Sequence, residues 1–410
     1  SAMISTYDLS EPWVTLSTGA YLSRFALSVL LLGPSTFLMG ATLTLLIRYL
    51  LVLDVGMAGW RVGMLYGVNT VGAAVGAFLT DYLLVPSVGL FSTAMIAVLG
   101  NLIAAAMAIR FGKSLGKPST GSKPASVISE VGDCDPVTTR GMWATVLAIW
   151  LSGFAAMGVE IVWFRFLSQV LGGFRAVFSV LLAVILVGIA LGSVLGGMCH
   201  RRFGRPVAIY MMTQAAFVLF TLGLILTYDK GFVVGLWELH ADAFQSGGTL
   251  MKWTINTWVN LVVITSVVGL PALMMGFAYP MANAHTQSVT ASIGRRAGVL
   301  YLANTVGAVL GAICTGFLLI PVLGTKGGLV ALSVLATMSI VSLAFARPRG
   351  NVVWYRSFTG RVAIVCAIAG TAAAVGFFSL PADILTRHGV PSARSHEKLI
   401  HLSEGMYELV

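Results

Sequence analysis

The sequence predicts an all-α, multi-pass membrane protein, and three observations carry this prediction. Hydrophobic residues make up 57% of the 410 residues and charged residues only 10%, whereas about a quarter of the residues of a soluble domain are charged. The mean hydropathy is +0.91. The apolar residues form long runs without the alternation of membrane β-strands. Together these observations exclude a soluble enzyme, a disordered chain, a coiled coil and a nucleic-acid-binding domain.

The apolar runs are long enough to cross a bilayer as helices. A hydrocarbon core of roughly 30 Å takes about 20 helical residues to span, and we expect about ten such helices here. The predicted spans are 24–49, 62–86, 88–112, 143–169, 175–199, 206–228, 254–285, 295–320, 324–346 and 361–380.

Polar stretches divide the chain and are predicted to lie outside the bilayer. The stretch 113–140 combines Lys, Ser, Pro and Gly and is typical of a flexible linker. The predicted division is an extramembrane segment at 1–20, a helical part at 21–112, the linker at 113–140, a second helical part at 141–346, a basic loop with one extra helix at 347–380, and a polar tail at 381–410.

Basic residues predict the orientation. Clusters of Arg and Lys mark cytoplasmic loops, and with ten helices all the clusters fall on one side. The start of the chain and its tail are then predicted to lie outside the inner membrane, in a periplasm. We interpret the net charge of +10 as a signal of membrane orientation and not as a sign of nucleic-acid binding. The clusters are Arg201, Arg202 and Arg205; Arg295 and Arg296; Arg347, Arg349, Arg356 and Arg361; and Lys113, Lys117 and Lys123.

One stretch of sequence occurs twice. Arg-Val-Gly-Met-Leu-Tyr-Gly-Val-Asn-Thr-Val-Gly-Ala at 61–73 matches Arg-Ala-Gly-Val-Leu-Tyr-Leu-Ala-Asn-Thr-Val-Gly-Ala at 296–308. The match continues to Gly89 and Gly324. We call residues 61–89 the first segment and residues 296–324 the second segment. Both run in the same direction, which predicts a parallel repeat.

The match extends upstream of both segments. Gly33 and Met39-Gly40 correspond to Gly269 and Met275-Gly276, with a slip of one residue. Pro34 and Pro271 follow the first glycine of each pair, and we expect them to interrupt their helices; plain kinks are the alternative.

A parallel repeat of this kind resembles the two six-helix halves of major facilitator superfamily carriers. The part at 141–346 corresponds to one complete half, and the part at 21–112 corresponds to the last three helices of the other, so the first half is predicted to be incomplete. The loop from Gly197 to Arg205 is similar to the loop between helices two and three of that superfamily. It departs from the motif at Arg201, where the family has Asp.

Four further motifs carry a more specific resemblance: Leu38–Leu43, Gly63–Ala73, Ser152–Arg165 and Gly188–Ser193. They resemble the membrane region of spermidine-synthase-like proteins, in which a facilitator-like helical domain precedes an aminopropyltransferase-like domain. The tail at 402–410 is similar to the entry strand of that synthase domain. A Gly-rich strand-to-helix turn, which holds the nucleoside donor in such enzymes, is not found, so no catalytic residue, cofactor or metal site is predicted within the chain.

Glu160 and Arg165 lie in one long apolar run. An ionisable side chain at membrane depth is costly and therefore marks a binding site or a buried pair. Their spacing of five residues is poor for a direct pair on a helix. We predict both as substrate-binding residues; the alternative is that Arg165 reaches the outer interface and Glu160 bonds a neighbouring helix. Glu160 is expected to face protein or water and not lipid.

Tyr66 and Asn69 in the first segment match Tyr301 and Asn304 in the second. In two pseudo-symmetric halves these side chains would approach a central cavity from opposite sides, and we predict all four as binding residues. Hydrogen bonding between helices explains the two amides equally well.

Three functions follow from this reading of the sequence. The first is the membrane domain of a spermidine-synthase-like protein, binding or passing a small metabolite, with a cationic ligand as one option. The second is a structural or assembly subunit of a larger membrane complex on a degraded carrier fold. The third is a secondary transporter. The expected partners are the lipid bilayer, a small cationic ligand and other membrane subunits, and not nucleic acid.

Overall fold

The computed structural model of this protein describes residues 7–8, 15–16, 18–53, 58–114, 139–172, 175–286, 293–345 and 357–381. Apart from one pair of two-residue strands, its elements are helices, so the all-α prediction is confirmed for these residues. The strands β1 (Tyr7–Asp8) and β2 (Thr15–Leu16) pair antiparallel. The helices are α1 (Thr18–Leu53), α2 (Ala58–Leu79), α3 (Val85–Ser114), α4 (Thr139–Leu171), α5 (Arg175–Phe203), α6 (Pro206–Thr227), α7 (Lys230–Leu239), α8 (Ala241–Ser246), α9 (Thr249–Thr286), α10 (Ile293–Cys314), α11 (Ile320–Phe345) and α12 (Phe358–Phe378).

Eight helices or helix pairs among the described residues are long and apolar enough to cross a membrane. Most of them coincide with predicted spans. The difference lies in two long candidates of 53 and 50 residues, each of which covers two predicted spans without a loop between them. The eight are Leu22–Ile47, Trp60–Gly112, Thr139–Leu171, Val177–Phe203, Pro206–Thr227, Thr249–Thr286, Arg295–Ala344 and Phe358–Phe378.

The two long candidates share an unusual backbone. Each contains a five-residue π turn, at Thr80–Leu84 and at Thr315–Leu319. Each then bends at a glycine with positive φ, Gly89 at 77° and Gly324 at 70°. These two glycines are the residues that the sequence match aligns, and their combination of φ and ψ is accessible essentially to glycine alone. The first and second segments therefore share backbone features that lie outside ordinary α-helix.

Local signals set several helix boundaries. Gly204, with φ at 60°, ends α5, and Pro206 starts α6 because proline fits the first helical position. The Oδ1 atom of Asp229 accepts a hydrogen bond from the Gly231 amide at 3.0 Å. This side chain caps α7, and the stretch 229–253 between two predicted spans is largely helical.

The expected interruptions at Pro34 and Pro271 are wrong. Both prolines lie inside continuous helices, α1 and α9. In α1 the Thr36 hydroxyl donates to the carbonyl oxygens of Leu32 and Gly33, each at 3.0 Å. The carbonyl oxygen that loses its amide donor because of Pro34 is that of Leu30, four residues earlier, so α1 continues through the proline with that backbone bond missing.

The helices pack very unevenly. The core is built by α4, α5, α6, α9, α10 and α11, around fully buried side chains such as Trp163, Phe166 and Tyr210. α5 lies between α9 and α2, and α4 lies between α10 and α11. In contrast, most of the large apolar side chains described in α1 and α3 are exposed, for example Phe37 and Phe91, each at 77%.

Glycines allow the closest helix contacts. A Cβ atom added at Gly192 in α5 would lie 1.9 Å from the Leu273 carbonyl oxygen of α9, and one added at Gly63 in α2 would lie 2.6 Å from the Ser193 carbonyl oxygen of α5. No side chain fits at such distances, so these positions hold glycine for close approach of the backbones. The Ser193 hydroxyl also donates to the Gly63 carbonyl oxygen at 3.0 Å.

Candidate functional site

A cavity of about 380 Å³ lies where α2, α4 and α10 meet. Three of the predicted binding residues line it: Tyr66 from the first segment, and Tyr301 and Asn304 from the second. Met157 of α4, Thr305 and apolar residues of α10 form the rest of its lining. A mostly apolar wall with a few polar groups, at this volume, is typical of small-molecule sites.

Tyrosine rings connect the two segments at this cavity. The ring centroids of Tyr66 and Tyr279 are 5.3 Å apart, and those of Tyr279 and Tyr301 are 6.0 Å apart. Tyr279 of α9 is buried and joins the two matching tyrosines into one cluster. α1 also reaches the cluster, because a Cβ atom at Gly40 would lie 3.8 Å from Tyr301 Cε1. Electron-rich ring faces held together in this way can attract a cation.

The two matching asparagines lie in different environments. Asn304 is half-buried against α4, where a Cβ atom added at Gly153 would lie 2.6 Å from the Asn304 carbonyl oxygen and 2.9 Å from its Oδ1 atom. Asn69 is exposed, does not line the cavity, and has no hydrogen-bond partner among the described residues. The structure thus brings Tyr66, Tyr301 and Asn304 together and leaves Asn69 apart.

Glu160 lies one helical turn after Met157 on α4, and so on the same side of the helix. It is half-buried. The candidate spans described by the structure contain two acidic residues, Asp81 and Glu160. Asp81 accepts a hydrogen bond from the Ser179 hydroxyl at 2.5 Å, whereas Glu160 has no hydrogen-bond or ion-pair partner among the described residues. Its carboxylate is therefore the acidic group of the described spans that is available to a ligand.

Arg165 does not pair with Glu160 in the structure. Its Nε and Nη2 atoms are buried and have no hydrogen-bond partner among the described residues. The residue does not line the cavity.

Sequence reasoning missed Met157, Thr305 and the bridging position of Tyr279. Met157 and Thr305 look like ordinary helix residues, since nothing in their local sequence marks a cavity wall. Tyr279 lies in α9 outside the two matching segments, so the match gave no signal for it. The only available signal was its place three residues after Gly276, on the helix that matches α1.

Comparisons with protein-family models, with curated proteins and with solved structures found no match. The cavity and the packing around it carry the functional argument.

Proposed function

We propose that this chain is the membrane domain of a spermidine-synthase-like protein, and that it binds or passes a small cationic metabolite through the cavity between α2, α4 and α10. The observation that carries the proposal is the cavity wall, to which the first segment contributes Tyr66 and the second contributes Tyr301 and Asn304. A site shared between two matching segments is the arrangement of carriers built from repeats.

The chemistry of the surrounding residues favours a cation. The three tyrosine rings supply faces that attract positive charge. Glu160 supplies a carboxylate one turn from the cavity wall, without a partner among the described residues. An amine that reached Glu160 would relieve the cost of a lone carboxylate at membrane depth.

Binding of 1,4-diaminobutane to the purified chain in nanodiscs tests the proposal, with 1,4-butanediol as the uncharged control. We expect saturable binding of the diamine only. Glu160→Gln keeps the shape of the side chain and removes its charge, so it should weaken binding by about tenfold or more, the effect of a single charge interaction of about 1.4 kcal/mol. Glu238→Gln, at an exposed position on α7, is the matched control and should bind as the parent does. Equal binding by a correctly folded Glu160→Gln protein would refute the proposal.

The helix count of ten and the parallel repeat belong to the same proposal. Continuous candidates of 53 and 50 residues would be about 75–80 Å long at 1.5 Å per residue, more than twice the hydrocarbon thickness. Bending at Gly89 and Gly324 allows each to cross twice, which turns eight candidates into ten spans. The aligned π turns and bends of the two segments support the repeat. Superposition about an axis along the membrane normal, with Asn69 and Asn304 at equal depth, is the geometry that this repeat requires.

The proposed orientation places the linker at 113–140 in the cytoplasm and the tail after 381 in the periplasm. Ser119 and Ser392 lie outside the described residues. Cysteine labelling of intact cells with an impermeant reagent should modify Ser392→Cys and not Ser119→Cys. The reverse pattern would invert the orientation.

A structural or assembly subunit is the second candidate function. The observation that favours it is the exposure of most of the large apolar side chains described in α1 and α3. If the chain binds no amine but is lost from the membrane when a partner subunit is removed, this second function replaces the first.

A further inference from the structure

Among the described residues, one surface of α2 and one surface of α10 have no helix packed against them. In each case the surface at the matching positions of the other segment is covered by a helix. We call the first the open α2 face, formed by Asn69, Gly72 and Gly76. We call the second the open α10 face, formed by Gly298 and Leu302. Each can be compared directly with its filled counterpart within the same chain.

The counterpart of the open α2 face lies on α10 and is filled by α4. A Cβ atom added at Gly307 would lie 2.2 Å from the Trp150 carbonyl oxygen, and one at Gly311 would lie 2.2 Å from the Phe154 carbonyl oxygen. A Cβ atom added at the matching Gly72 or Gly76 would meet no atom of another helix within 4 Å in the part of the chain that the structure describes. The same residue types that admit a helix backbone on α10 therefore face open space on α2.

The counterpart of the open α10 face lies on α2 and is filled by α5. A Cβ atom at Gly63 would lie 2.6 Å from the Ser193 carbonyl oxygen, and one at Gly67 would lie 2.8 Å from Val194 Cγ2. Their matches on α10 are Gly298, with nothing within 4 Å, and Leu302, which is 63% exposed.

α1 repeats the pattern at a third place. In the second half, Gly276 of α9 approaches α5 so closely that a Cβ atom would lie 2.2 Å from the Ile189 carbonyl oxygen. A Cβ atom added at the matching Gly40 of α1 would lie 3.8 Å from Tyr301 Cε1, which is an ordinary van der Waals distance. α5 thus bridges α9 and α2, and the matching space between α1 and α10 holds no helix among the described residues.

We propose that the open α2 and α10 faces bind a pair of apolar transmembrane helices of the α4–α5 kind. The first helix would lie on α2 at Gly72 and Gly76 with its backbone in contact, and cover the Asn69 amide. The second would lie between Gly40 of α1 and the open α10 face. A second copy of this chain does not fit, because its own α4 and α5 are already packed against α10, α9 and α2. Lipid chains do not satisfy the Asn69 amide, which is costly to leave in hydrocarbon.

A separate polypeptide of residues 139–203 serves as the helical probe for this proposal, because it contains α4 and α5 and therefore the surfaces with which they contact α10 and α2. Spin labels at Val75→Cys and Leu302→Cys of the full chain report the two faces by their accessibility to oxygen in nanodiscs. Val365→Cys, at a position 65% exposed on α12, is the control. The chain alone should give high oxygen accessibility at all three positions. Adding the helical probe should lower it severalfold at 75 and 302 and leave 365 unchanged.

Substitutions then test the contact itself. Gly72→Leu together with Gly76→Leu should weaken the protection at position 75 by the probe at least tenfold. Gly100→Leu, at a glycine of α3 with no atom within 4 Å, should have no effect. Low oxygen accessibility in the chain alone, at one protein per nanodisc, would show that the faces are already covered and would overturn the proposal. Protection that grows with protein density without the probe would assign the faces to a second copy, and a helical probe that protects neither face would also overturn it.

Discussion

The first and second segments have closely matching sequences and the same π turns and glycine bends, yet they sit in very different surroundings. The second segment is packed on α4 through Gly307 and Gly311, and it belongs to the core. The first segment contacts α5 on one side through Gly63 and is open on the other. The comparison teaches that backbone geometry follows the local sequence, whereas burial follows the neighbours that the rest of the chain supplies.

The largest expected difference concerns Gly276 and Gly40. Gly276→Ala places a methyl group 2.2 Å from a backbone oxygen, so we expect a loss of about 3 kcal/mol in the free energy of unfolding, the upper end of the usual cost of overpacking. Gly40→Ala would place its methyl group 3.8 Å from Tyr301 Cε1, an ordinary van der Waals distance. It should be neutral or should stabilise by up to about 1 kcal/mol, because alanine favours helix over glycine. Unfolding in mixed SDS micelles, followed by circular dichroism, measures both. Equal losses would remove the distinction between the two halves.

The bend glycines should give a smaller difference. Alanine at Gly324 is strained by the positive φ, and the free energy of unfolding should fall by about 1–3 kcal/mol. α11 is held by α4, α6 and α12 and relaxes little. Gly89→Ala introduces the same strain in α3, which has few neighbours, so less than half of that loss is expected. The same unfolding assay compares them, and a larger loss at Gly89 would contradict the view that α3 is free to adjust.

The smallest effect concerns the hydrogen bond between α5 and the first segment. Ser193→Ala removes the hydroxyl that donates to the Gly63 carbonyl oxygen. The loss should be about 0.5–1 kcal/mol, because hydrogen bonds between membrane helices are individually weak. Thr36→Ala on exposed α1, where the hydroxyl bonds only its own helix, is the control and should change the stability by less than about 0.5 kcal/mol. An equal effect of the two substitutions would mean that the contact between α5 and α2 does not depend on this bond.

The sequence was sufficient for the class of fold and for the main helices, because apolar length is a local property. It also predicted that Tyr66, Tyr301 and Asn304 share a site, since a sequence match carries positions from one helix to another. It could not predict that Asn69 is exposed while Asn304 is packed, because this depends on which helix covers each residue. It predicted interruptions at Pro34 and Pro271, whereas both prolines lie inside continuous helices. A membrane helix can continue through a proline when its surroundings tolerate the freed backbone group, and a residue-by-residue reading does not include those surroundings.

The π turns have a consequence for how these long helices can vary. A π turn holds one residue more than the α-helix around it, so it acts as a local insertion of a single residue. One residue corresponds to a rotation of about 100° around the helix axis. Deleting one residue from Thr80–Leu84 or from Thr315–Leu319 would therefore restore regular winding and swing the following glycine bend by about that angle. The direction of the helix after each glycine bend is thus set by the phase of the helix before it, and a change of one residue in length would redirect it while leaving composition and hydropathy almost untouched.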